Sequence, residues 1–69
     1  MITTVRNYLD EKVIWKRTAD PILPFEAENN GERMVIRIND FPHDNLYTLI
    51  VNDEEIASFD DWPQSWVTK

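Results

Sequence analysis

The residue types needed for hydrolysis are all present in this chain, though thinly. His43 is the single histidine, Asp44 follows it, and Ser58 lies downstream, so a nucleophile, a base and an orienting carboxylate can be named. No nucleophile-elbow pattern surrounds Ser58, and His43 follows Pro42 in a stretch with loop composition, so no catalytic residue is assigned and a non-enzymatic protein is expected. Carboxylates occur as Asp53-Glu54-Glu55 and Asp60-Asp61, which could serve acid–base chemistry or hold a hard cation. Adjacent residues on a strand or turn point apart, however, and do not converge on one substrate. The segment Asn39-Asp40-Phe41-Pro42-His43-Asp44-Asn45 is rich in oxygen ligands but lacks the ligand alternation and bend glycine of a calcium loop. With no cysteine and one glycine, thiolate sites and phosphate-cradling glycine loops are excluded. No metal and no cofactor are expected.

Charge is more informative than any motif. Residues 1 to 37 carry six basic and six acidic side chains. From Ile38 to Thr68 there are seven acids and neither lysine nor arginine, within a net charge of −6. This balance disfavours direct binding of nucleic acid, whose phosphates need a basic footprint. The one basic cluster, Lys12, Lys16 and Arg17 around Trp15, is too small to reverse that reading. An acidic half suits docking on a basic protein surface, where opposite fields speed encounter. Its aromatic residues could contribute apolar contact area. The expected partner-binding residues are therefore Phe41, Asp53, Glu55, Asp60, Asp61, Trp62 and Trp66. The alternative is a small ligand-binding protein or enzyme subunit whose site forms only between copies of the chain.

The elements that carry these residues read mainly as β-strands. At 69 residues there is room for one domain spanning the chain, with a thin core and no disulfide to brace it. Asn30-Gly31 is a strong type I′ hairpin turn, because both residues tolerate positive φ. Placing the turn there sets Glu28 opposite Arg33, Ala27 opposite Met34, Glu26 opposite Val35 and Phe25 opposite Ile36. One face then holds Phe25, Ala27, Met34, Ile36 and Ile38, and the other is mostly charged. A second hairpin from Leu46 to Phe59 turns at Asn52-Asp53, which pairs Leu49 with Ile56, Ile50 with Glu55, Tyr47 with Ser58 and Leu46 with Phe59. Leu46 to Val51 is apolar on both sides and belongs inside the sheet or beneath a cover; uncovered, it would drive homodimerisation.

Val13 to Thr18 reads as a further strand, followed by an irregular crossover through Pro21 and Pro24. Thr4 to Lys12 fits a short amphipathic helix capped by Thr3 or Thr4, or else a strand with a turn at Leu9 to Lys12. Asp60-Asp61-Trp62-Pro63 resembles a helix start, with Trp62 and Trp66 on one side of a single turn. The expected fold is one antiparallel sheet of four or five strands built from two hairpins, with a short N-terminal helix and a C-terminal helical turn. It would be α+β in class if the N-terminal segment is helical. No apolar run is long enough to cross a bilayer, no export signal is evident, and a cytoplasmic location is the expectation.

Overall fold

The computed structural model describes residues 8–69. Both type I′ turns form where their residue types demand. Asn30 and Gly31 take φ values of 54° and 76°, and Asn52 and Asp53 take 50° and 69°. Around them run β1 (Val13–Arg17), β2 (Phe25–Asn29), β3 (Glu32–Ile38), β4 (Tyr47–Val51), β5 (Glu54–Phe59) and β6 (Trp66–Thr68). They form a single sheet in the order β5-β4-β3-β2-β1-β6. The first hairpin keeps the register that its turn dictates, with Ala27 opposite Met34 and Phe25 opposite Ile36. The doubly apolar strand β4 lies between β3 and β5, which satisfies its backbone on both sides.

The second hairpin departs from simple counting. Ile50 faces Glu55 as expected, but Leu49 faces Ala57, Thr48 faces Ser58 and Tyr47 faces Phe59, so Ile56 is left as an extra residue in a bulge. Its side chain is 41% exposed. The reason is burial. An unbulged ladder would put Ser58 beside Tyr47 over the core and turn Phe59 outward. One inserted residue reverses every later side chain, so Phe59 packs inward and Ser58 reaches the polar face.

The chain ends also differ from expectation. Residues 1–7, including the cap positions Thr3 and Thr4, lie outside the described part. Of the proposed N-terminal helix, Tyr8–Asp10 is a single 3₁₀ turn. The C-terminal segment is not helical. Gln64 and Ser65 form a turn, and Trp66–Thr68 is a strand parallel to β1, pairing Val13 with Trp66 and Trp15 with Thr68. The sheet thus has six strands and is mixed rather than wholly antiparallel. A helix of one or two turns must meet a large nucleation cost for few bonds. The strand instead gains a ladder to β1, and its flanks are pinned: Trp66 Nε1 donates to Tyr8 O at 3.1 Å and Ser65 Oγ to Leu9 O at 2.9 Å.

Packing on one face rolls this sheet. Flat, six strands would hold the outermost two about 24 Å apart at ordinary strand spacing. Yet the rings of Phe59 on β5 and Trp66 on β6 are 5.4 Å apart between centroids. The sheet therefore curls over a core of Val13, Trp15, Ala27, Met34, Ile36, Leu49, Val51 and Trp66. Residues 60–65 cross from one edge strand to the other and insert Trp62 against Trp15, Phe25, Tyr47 and Trp66 at 5.1–6.1 Å. The rings meet tilted or edge-on, the geometry that their quadrupoles favour. Trp15 is wholly buried, and its Nε1 has no hydrogen-bond partner among the described residues. Such an orphan costs about 1–3 kcal/mol, which the packing of so large a ring offsets.

Two substitutions test this account. No heavy atom lies within 4 Å of a Cβ added at Gly31, so Gly31→Val is strained by backbone conformation alone. It should lower unfolding free energy by more than about 1 kcal/mol in a denaturant titration. Trp62→Ala should cost about 3–5 kcal/mol, a large part of the stability of so small a domain. Its melting curve should flatten, whereas Trp62→Phe should keep a cooperative transition at a lower temperature.

Candidate functional site

The polar face of the sheet is organised around one buried hydroxyl. Thr48 on β4 is 1% exposed, with Arg37 on β3 and Ser58 on β5 as its lateral neighbours. Asn39, just past the end of β3, donates from Nδ2 to Thr48 Oγ1 at 2.7 Å and to Asn45 O at 2.8 Å. The same amide accepts from Arg37 Nε through Oδ1 at 3.0 Å. The other two guanidinium nitrogens of Arg37 form a bidentate pair with Glu55, at 3.3 and 3.2 Å. Thr48 Oγ1 and Ser58 Oγ share a hydrogen bond of 2.9 Å. A buried hydroxyl without partners would be costly, and here it is fully engaged. The network fastens the β3–β4 loop to three strands.

That loop presents the exposed groups. The amide of Asp44 donates to Asp40 O at 2.9 Å, closing a turn that projects Phe41, 56% exposed, between two aspartates. Neither Asp40 nor Asp44 forms an ion pair among the described residues. Asp60 braces the loop from β5: its Oδ1 accepts from Leu46 N at 2.9 Å and Asn45 Nδ2 at 3.3 Å. The β1–β2 crossover reaches the same end of the sheet, because Ile38 N donates to Ile22 O at 2.9 Å. Ile22 is 57% exposed, and Asp20 Oδ1 caps its amide at 2.8 Å. The guanidinium of Arg17, at the end of β1, lies 5.7 Å from the Phe25 ring centroid.

The seven residues expected to form one docking surface are dispersed. Phe41 is exposed at the loop end, and Asp60 braces the same loop at Asn45 and Leu46. Asp53 sits in the turn at the far end of β4, about 17 Å away along the strand. Glu55 is engaged by Arg37 on the polar face. Asp61 is exposed and lines a separate depression with Leu9, Asp10, Pro63, Gln64 and Ser65. Trp66 is 4% exposed and Trp62 is half-buried, both engaged in the core. Ile22 and the Asn39–Thr48 hub were not singled out by sequence. An apolar residue stranded between Pro21 and Pro24, with no strand to bury it, was the available signal for Ile22.

Ser58, His43 and Asp44 do come together, lining a polar depression of about 320 Å³ with the Arg37–Asn39–Thr48 network. The bonds that would make them a relay are absent. Ser58 is engaged by Thr48, and His43 makes no hydrogen bond among the described residues. No group of three or more histidine, aspartate or glutamate side chains among the described residues could hold a metal ion. No described helix is long and apolar enough to cross a membrane.

Thr48→Val should cost about 1–2 kcal/mol, since it removes a buried hydrogen-bonded hydroxyl at nearly constant volume. Ser58→Ala should cost less than Thr48→Val, because Ser58 is exposed and water can replace its oxygen beside the Thr48 hydroxyl. Equal costs in denaturant titrations would show that the network is not centred on Thr48. No protein-family model, curated protein or solved structure matches this chain.

Proposed function

We propose that this is a small non-enzymatic binding protein that docks, through its acidic, aromatic-bearing C-terminal half, on a basic surface of a protein partner. The observation that carries this reading is the loop Asp40 to Asp44, which offers around an exposed phenylalanine two carboxylates that form no ion pair among the described residues. It lies in a stretch from Ile38 to Thr68 without lysine or arginine. The loop is already held by hydrogen bonds, so binding need not order it first, which favours affinity. Opposite charge would speed encounter and make capture sensitive to salt. Trp62 and Trp66 act from beneath by holding the sheet rolled, while Phe41 is the ring available for contact.

Charge reversal at Asp40 and Asp44 tests the reading, because both side chains are exposed and neither braces the fold. In affinity capture from the native cell, partners should be retained by the unaltered protein at low salt and released at high salt. Bait carrying Asp40→Lys and Asp44→Lys should not retain them. Equal retention by both baits would reject docking led by charge.

A further inference from the structure

We infer that the exposed pair Ile22 and Phe41 is an apolar anchor, and that its occupant is a lysine- or arginine-rich segment of a partner protein that also carries a large apolar side chain. The inference rests on the binding reading above and adds what charge alone does not specify. The two residues are 57% and 56% exposed. The fold places both at one end of the sheet, since the Ile22 carbonyl is held by the amide of Ile38, just ahead of Phe41.

Both positions are built rather than loose. The Ile22 backbone is held at its amide by Asp20 and at its carbonyl by β3. Phe41 N donates to Asn39 O at 3.0 Å, and Asn39 itself is locked to Thr48. Phe41, flanked in its loop by Asp40 and Asp44, and Ile22, at the same end of the sheet, match a complementary surface in two respects. An apolar side chain of the partner would pack against Ile22 and Phe41, and its cations would meet the aspartates. A purely cationic segment would gain only the screened charge term. Anchors of this kind carry most of the binding energy at interfaces, while surrounding charges act chiefly on encounter and register.

Two short synthetic peptides distinguish the contributions, one alternating arginine with leucine and one alternating arginine with serine. By fluorescence anisotropy, the arginine–leucine peptide should bind about tenfold more tightly. Ile22→Ser and Phe41→Ser should each erase most of that preference while leaving the arginine–serine affinity unchanged. Asp40→Asn with Asp44→Asn should weaken both peptides. Near-UV circular dichroism of every variant should match the parent, since the substituted side chains are outside the core. Equal affinity for the two peptides, or a preference that survives Phe41→Ser, would overturn the anchor and leave charge-led docking intact. Failure of both peptides to bind would overturn the anchor and the binding reading together. Concentration-dependent self-association abolished by Phe41→Ser would assign the patch to a second copy and overturn the proposal.

Discussion

The rolled shape of this sheet depends on a ring from outside its hydrogen-bond ladder. Trp62 lies on the segment that joins the two edge strands and touches aromatic side chains from β1, β2, β4 and β6. A sheet of this width has more apolar surface on one face than one short connection could cover if it stayed flat. Rolling lets the face cover itself, and Trp62 occupies the centre of what remains. With no cysteine to cross-link the chain, packing has to supply much of the stability. The bulge at Ile56 belongs to the same solution, because it turns Phe59 toward that centre.

On the opposite face the organisation is polar, and it controls a different part of the molecule. Thr48, Asn39, Arg37, Glu55 and Ser58 form a connected set of hydrogen bonds across β3, β4 and β5. Through Asn39 and Asn45 the set reaches the β3–β4 loop, and through Asp60 the loop is held from the far side. Carboxylates consequently fall into two physical roles. Asp20 and Asp60 accept hydrogen bonds from backbone amides and Glu55 pairs with Arg37, whereas the side chains of Asp40 and Asp44 are exposed and form no ion pair among the described residues. Composition counts all five alike; geometry separates them.

Local chemistry was readable from a few residues at a time. Asn30-Gly31 and Asn52-Asp53 announce turns with positive φ, and alternation on either side of Gly31 is enough to set the first register and its buried face. The second register was readable only as far as Ile50 and Glu55. Beyond that pair, two alignments are locally acceptable, and the choice rests on whether Phe59 or Ser58 faces a core assembled by distant residues. The candidate surface was legible in the same partial way. The excess of acids and the aromatic loop at Phe41 were plain, but the burial of Trp66 and the arrival of Ile22 at the same end were not.

By itself, then, the chain's residue order determined that it would be β-rich, where its hairpins would bend, which flank of the first would be greasy, and how charge divides between its halves. Tertiary structure alone decided that Trp66 to Thr68 would be a parallel strand, that the sheet would roll, and that Trp62 would close it. Turn preferences and side-chain alternation act between neighbours and survive in any context. Pairing of Val13 with Trp66 joins segments far apart in the chain, so it carries the entropy cost of closing a long loop and no preference between neighbours specifies it.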